Sequence, residues 1–225
     1  MHERLKAALT HAGTHCPSSL LHSLNATVSY LDVGRWMRDH GFDAGLRVAS
    51  REEVFEAVAA QVAEEQVLYL EFGVFEGESM RYWSRRLAHP GSHLHGFDSF
   101  VGLPADWTAK ERRGHFSTSG ETPAIADPRV VFFKGWFRET LPRYAPPAHE
   151  RLVANVDCDL YSSAATALDT VEPLLRPGSY LYFDEFHDRA NERRAFGEFL
   201  DRTGMRFDLV AASRELTHVA FRRSR

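Results

Sequence analysis

The chain has 225 residues, 44% hydrophobic and 26% charged, the proportions of a folded globular protein, so disordered, collagen-like and coiled-coil classes are excluded. A formal net charge of −4 with no long Lys/Arg block gives no field to draw in nucleic acid or to grip a membrane surface, and neither is expected as a partner. Cys16 and Cys158 are far apart and in no metal spacing, which fits a reducing cytoplasm and a buried free thiol at Cys158.

Residues 1–64 read as a helical extension. "MHERLKAALTHA" has apolar residues at helical spacing, and "SREEVFEAVAAQVAEE" opens on Ser50 as an N-cap with acids in the first turn. The chain start lacks the apolar core of a signal peptide, and no apolar run approaches the roughly 18 residues of a membrane helix. From residue 66 the period changes. Short apolar runs, "QVLYLEFGV", "SHLHGFDSF", "RVVFFKGWF", "RLVANVDCDL", "GSYLYFDEF", "FDLVAASRE" and "LTHVAFRR", are separated in several places by helical patterns, notably 78–88, 162–175 and 190–203. Strands apolar through most of their length and alternating with helices imply a parallel sheet covered on both faces, a doubly wound α/β fold. The last two runs are joined by a short stretch and predict a hairpin, with the final strand antiparallel at or near the edge. Residues 101–128, long, polar and broken by Gly and Pro, have the character of a lid.

Four of these strands end in acids or glycines: Glu71 and Gly73, Asp98, Asp157 and Asp159, Asp184 and Glu185. Interiors buried on both faces would reject such side chains, so they mark one polar crevice at the carboxyl ends of the strands. In "LEFGVFEGES" the glycines allow a sharp strand-to-helix turn and close approach to a ligand. The third glycine of the dinucleotide fingerprint is missing, and Glu71 suits a cationic group better than a phosphate. Asp98 could accept from both hydroxyls of a ribose, or serve as an Asx turn or cap. Asp157, Asp159, Asp184 and Glu185 could converge from adjacent strands on a hard cation such as Mg²⁺; alternatively Asp159 caps the following helix and Asp184 and Glu185 are solvated strand-end acids. His115, in the expected lid, and His187 are possible general bases, and Trp136 and Phe137 could stack on an aromatic ligand or pack in the core.

Taken in order, "LEFGVFEGES", "GFDSFVGLPADW", "VVFFKGWFRETLP", "VDCDLYSS" and "LYFDEF" resemble the macrocin O-methyltransferase-like family of class I S-adenosylmethionine-dependent methyltransferases, over about residues 67–200. The resemblance implies a mostly parallel seven-stranded sheet with an antiparallel last strand over residues 65–225, and methyl transfer to a hydroxyl of a small molecule. Glu71, Phe72, Gly73, Val74, Phe75, Gly77 and Ser79 would then line the methionine portion of the cofactor, Asp98 and Ser99 the ribose, and Gly135 and Trp136 the adenine side. Asp157 would also touch the cofactor and, with His115 as the other candidate, act as base. Mg²⁺ would be held by Asp157, Asp184 and Glu185, where Glu185 departs from the family's usual Asp or Asn. Rival readings are a metal-dependent nucleotide-sugar glycosyltransferase using Asp157-Cys158-Asp159, and a non-catalytic cofactor-binding subunit. A homodimer through the helical extension is a further expectation.

Overall fold

The structure is a computed structural model that describes residues 2–42 and 45–224. Two helices lead: α1 (Glu3–Gly13), which buries no residue, and α2 (Ser18–Asp39), whose C-terminal half inserts Val33 and Met37 into the core. Trp36 packs against the same core, whereas leucines such as Leu9, Leu24 and Leu31 stand in solvent, Leu31 being 71% exposed. β1 (Leu46–Val48) and α3 (Arg51–Val62) follow. Ser50 caps α3 as its sequence implies, accepting from the Glu53 amide at 3.3 Å.

The sheet proper is β2 (Val67–Phe72), β3 (His93–Asp98), β4 (Val130–Lys134), β5 (Arg151–Val156), β6 (Tyr180–Phe183), β7 (Phe207–Ser213) and β8 (Val219–Arg223). The connecting helices are α4 (Glu78–Arg86), α5 (Phe137–Thr140), α6 (Tyr161–Val171) and α7 (Glu192–Thr203). Strand order is β1-β7-β8-β6-β5-β2-β3-β4, with β8 antiparallel to both neighbours and the other pairs parallel.

The doubly wound sheet anticipated from the strand pattern is present, with two corrections. It has eight strands rather than seven, because Leu46–Val48, in a segment expected to be helical throughout, pairs with β7. The final strand, expected at or near the edge, is antiparallel as expected and stands third from the β1 edge, between β7 and β6: the chain passes from β6 through α7 to β7, leaving one strand position open, and the hairpin folds β8 into it. The run 129–137 also stops being a strand at Lys134, where Gly135 takes φ +147 and α5 begins soon after.

β2 is buried over its whole length because both of its faces are covered. Leu68, Leu70 and Phe72 face the core shared with α6, α7 and the end of α2; Val67 and Tyr69 face α3 and α4. Each such large apolar side chain contributes about 1.5–3 kcal/mol of burial. Among the described residues, no helix is long and apolar enough to cross a membrane.

Register decides where the polar residues go. Phe72 pairs with Phe97 and Val156, and Val156 with Phe183. The next residues, Asp98, Gly73, Asp157 and Asp184, therefore stand in a row at the carboxyl ends of β3, β2, β5 and β6. The order of connections reverses on either side of β2, which opens a crevice there.

Two predictions concern this framework. A Cβ on Gly73, which has φ +93, would lie 1.7 Å from the Asp157 carbonyl oxygen. Gly73→Ala is expected to cost about 3 kcal/mol or more in urea denaturation, since it combines backbone strain with a steric clash. His95, nearly fully buried in β3, accepts from the Tyr144 hydroxyl at 2.8 Å; burial, with His93 adding its charge, lowers its pKa to about 4. The unfolded chain takes up this proton near pH 6.5 and the native one does not until about 4, so the neutral ring's contribution is complete above pH 6.5 and declines as pH falls through that window. The stability difference between wild type and His95→Phe should shrink by about 3 kcal/mol between pH 7 and pH 4, measured by denaturant titration.

Candidate active site

At the carboxyl ends of the strands lies a cavity of about 750 Å³. Its floor is the turn after β2. Gly73, Phe75 and Gly77 all adopt positive φ there, of 93°, 50° and 77°. The Asp98 carboxylate fixes this turn. Oδ2 accepts from the amides of Val74 at 2.8 Å and Phe75 at 2.9 Å, and Oδ1 from the amide of Phe100 at 2.7 Å. In phosphate-binding turns such amides point at the anion. Here two of them are already bonded to a carboxylate, and the turn offers them to no phosphate.

Behind the turn, Glu71 is 1% exposed. It accepts from the Tyr69 hydroxyl at 3.3 Å, and that hydroxyl accepts from Asn155 Nδ2 at 3.1 Å. Burial pushes the Glu71 pKa well above the usual carboxylate range; the Tyr69 bond and the Arg51 charge oppose this, and the charges of Asp98 and Asp184 add to it. A cation bound alongside would restore the ionised form.

The next strand ends carry more acid. Burial, followed by the charges of Asp184, Asp159, Glu192 and Glu71, holds the Asp157 carboxyl well above its ordinary value. Asp159, at φ +61, and Glu185 are both pushed up to about 7 by burial and then by the Asp184 charge. Asp184 goes the other way. Burial alone would raise it, but bonds from His218 Nδ1 at 2.9 Å and the Tyr182 hydroxyl at 2.7 Å, with Arg51 Nη1 at 4.0 Å, hold it below the usual range.

Most residues singled out in the sequence do line this cavity: Glu71, Gly73, Val74, Phe75, Gly77, Ser79, Asp98, Ser99, Gly135, Trp136, Asp157, Asp184 and Glu185. Phe72 and His115 do not. Adjacent strand residues point to opposite faces, so with Glu71 facing the site Phe72 goes into the core, its ring stacked on Phe97 at 5.4 Å. The His115 ring lies against Phe116, and it is Phe116 that reaches the cavity. His187 stacks on Tyr30 of α2 at 5.3 Å.

The carboxylates were also expected to hold Mg²⁺. Among the described residues, no group of three or more His, Cys, Asp and Glu is placed to hold a metal ion. Asp184 Oδ1 is already bonded to His218 and Tyr182, and Glu185 Oε2 lies 3.3 Å from His187 Nδ1. Asp157, Asp184 and Glu185 in this arrangement do not fit the octahedral oxygen set that Mg²⁺ demands.

Three contributors went unmentioned in the sequence reading. Arg51, the first residue of α3, enters the cavity and donates to Glu78 Oε2 at 3.2 Å. His218 approaches Asp184 from the lead-in to β8. Glu192, at the start of α7 and 0% exposed, accepts from the amides of Cys158 (3.1 Å), Asp159 (3.3 Å) and Glu185 (3.2 Å), joining the ends of β5 and β6. An acid in a first helical turn is visible in sequence, but its long-range partners are not. The 101–128 segment supplies Leu103, Pro104, Trp107, Arg113 and Phe116 to the cavity wall.

The comparisons with known proteins agree with this arrangement. The chain is 31% identical to mycinamicin III 3''-O-methyltransferase of Micromonospora griseorubida, over 55% of this chain and 45% of that protein. It is 30% identical to 8-demethyl-8-(2,3-dimethoxy-alpha-L-rhamnosyl)-tetracenomycin-C 4'-O-methyltransferase of Streptomyces olivaceus, over 52% of each. The chain thus spans about half the length of these curated relatives. Among solved structures it is similar to the O-methyltransferase NovP, with a TM-score of 0.57 and 25% identity over 78% of both chains. The calicheamicin methyltransferase CalS11 shares the fold, with a TM-score of 0.60 and 22% identity over 76% of both chains. A methyltransferase domain model matches residues 70–186, the segment that carries the turn, the Asp98 staple and the row of strand-end acids, and the chain belongs to that methyltransferase family.

Proposed function

We propose that this protein transfers a methyl group from S-adenosylmethionine to a hydroxyl oxygen of a small molecule. One observation carries the choice of ligand: the turn that would cradle a phosphate has two amides bonded to Asp98 and a buried acid, Glu71, behind it. That seat suits an adenosine bearing a cation and disfavours the diphosphate that a nucleotide-sugar glycosyltransferase would place there. The relatives support the acceptor class. One is named for the 3''-oxygen of mycinamicin III and the other for the 4'-oxygen of a rhamnosyl tetracenomycin, so a sugar-bearing, hydroxylated acceptor is the reading we adopt.

When bound, S-adenosylmethionine supplies an electrophilic methyl carbon on a sulfonium. The chain's own residues do the rest. Glu71 would lie toward the cationic end, and the one acceptor site of Asp98 left free by the three turn amides, on Oδ1, would be available to a ribose hydroxyl. Trp136 and Phe137 border the adenine side. Asp157, beside Gly73 in the row, would be the residue to take the proton of the acceptor hydroxyl as that oxygen receives the methyl group, with S-adenosylhomocysteine left as the other product. A cationic ligand alongside would favour the ionised form that can accept that proton, since burial and the neighbouring acids otherwise hold this carboxyl well above its ordinary value. The 101–128 wall, with Phe116 edge-on to Phe75 at 5.4 Å, excludes water from the reacting atoms. The free thiols of Cys16 and Cys158 are in keeping with a cytoplasmic setting.

Calorimetry is expected to show S-adenosylhomocysteine binding with a Kd of about 10 µM, or −7 kcal/mol, and no heat from NAD or UDP-glucose; a reversed order of binding would sink the reading. Once a mass-shift screen with labelled S-adenosylmethionine has supplied an acceptor, Asp157→Asn should lower turnover by about 100-fold or more while S-adenosylhomocysteine affinity stays within about threefold.

A further inference from the structure

The acid row is too dense to stand uncompensated in a half-enclosed cavity, and two side chains already supply the compensation. Arg51 Nη1 stands 4.0 Å from Asp184 Oδ1, and His218 Nδ1 donates to the same oxygen at 2.9 Å, beside the Tyr182 hydroxyl at 2.7 Å. Both residues are mostly shielded from solvent, with side chains 24% and 20% exposed. Arg51 is anchored on its other side by Glu78 at 3.2 Å and lies over the Phe55 ring at 5.9 Å, so its guanidinium is held against the cluster. Glu185 turns one oxygen toward His187, whose ring is stacked on Tyr30. Arg51, His218 and Tyr30 lie outside residues 70–186, and His187 sits just past that boundary. The chain's flanking parts thus bring basic groups to an acidic site laid out by its central part.

We propose that the Arg51 guanidinium and the His218 hydrogen bond to Asp184 take the place of a divalent cation, so that the acid cluster at the ends of β5 and β6 keeps its working geometry without metal. The proposal rests on the methyltransferase reading for its catalytic meaning but is stated of the protein itself. Mg²⁺ requires near-ideal octahedral geometry at 2.0–2.1 Å, as a general property of the ion, and keeps several waters. At Asp184 Oδ1 it would have to displace the His218 and Tyr182 donors, and anywhere against this carboxylate it would meet repulsion from the neighbouring guanidinium. The two residues are positioning residues: they act on Asp184, and through it on Asp157 alongside.

The test begins with MgCl2 titrated calorimetrically into chelator-treated, ligand-free protein. Wild type is expected to give no saturable heat at low-millimolar Mg²⁺. Its affinity for S-adenosylhomocysteine, and its methyl transfer, should change by less than about twofold between EDTA and Mg²⁺. Arg51→Ala/His218→Ala, checked for folding by thermal melting, should acquire saturable Mg²⁺ binding that a further Asp184→Asn removes, a gain that mere loss of structure would not produce. If the double variant does not fold, the wild-type titration decides. Saturable Mg²⁺ binding to wild type that Asp184→Asn abolishes, or a transfer rate that falls more than about tenfold in EDTA and returns with Mg²⁺, overturns the proposal. Failure of S-adenosylhomocysteine to bind in either buffer would instead refute the proposed function and leave the Mg²⁺ titration to judge this inference alone.

Discussion

The rest of the site depends on the Asp98 carboxylate and the three backbone amides it accepts. Those amides belong to Val74, Phe75 and Phe100, on two turns that leave adjacent strands. Buried backbone donors left unpaired are costly, and here one carboxylate satisfies three. It also stabilises Phe75 and Phe100 at positive φ, a conformation costing on the order of 1–3 kcal/mol for each such residue. The same bonds that make the turn rigid remove its capacity for phosphate. Structure and ligand choice follow from one interaction, and it works only because Gly73 lets β2 and β5 end against each other without a side chain between them.

From that fixed floor the electrostatics follow. Register places Asp98, Gly73, Asp157 and Asp184 side by side, and Glu192 ties the two most acidic strand ends together by accepting amides from both. Glu192 is itself pushed to high pKa by burial and by the charges of Asp159 and Asp184, against which the two amide bonds work. A cluster of this kind resists ionising all its members at once. Its members divide: Asp184, with its donors, carries charge readily, whereas Asp157 holds a proton more tightly.

Much of this was legible in the sequence, and the omissions have physical causes. Apolar runs ending in acids disclosed both the parallel sheet and the edge on which its crevice lies, because a strand covered on both faces admits polar residues only at its ends. Three-residue β1 has too short a pattern to register as a strand, and the insertion of β8 is decided by which gap the α7 crossover leaves. The family resemblance puts Phe72 in the site with its neighbours, although strand alternation points it away from the side that Glu71 faces. Asp98 was open between a turn and a ribose; the structure shows the turn bonds directly. Arg51 and His218 are invisible from sequence, since their meaning lies in a partner far along the chain.

The same division runs through the cavity walls. The side assigned to the cofactor is made of strand ends and turns bonded within the sheet, inside the segment shared with the family. The opposite side is made by the 101–128 segment, whose Trp107 indole donates to Asp188 at 3.4 Å. Close by, α2 meets the 187–193 turn through Tyr30 on His187 and through Asp32, bonded to Arg193 at 2.6 Å. The wall and the helical arm therefore converge on the short stretch between β6 and α7 that also carries Glu185 and Glu192. A change in either can reshape the acceptor side through that stretch while leaving the Asp98 floor untouched, since the floor's bonds all lie within residues 73–100. On the proposed function, acceptor choice and methyl chemistry would be carried by different parts of one chain, joined at the acids.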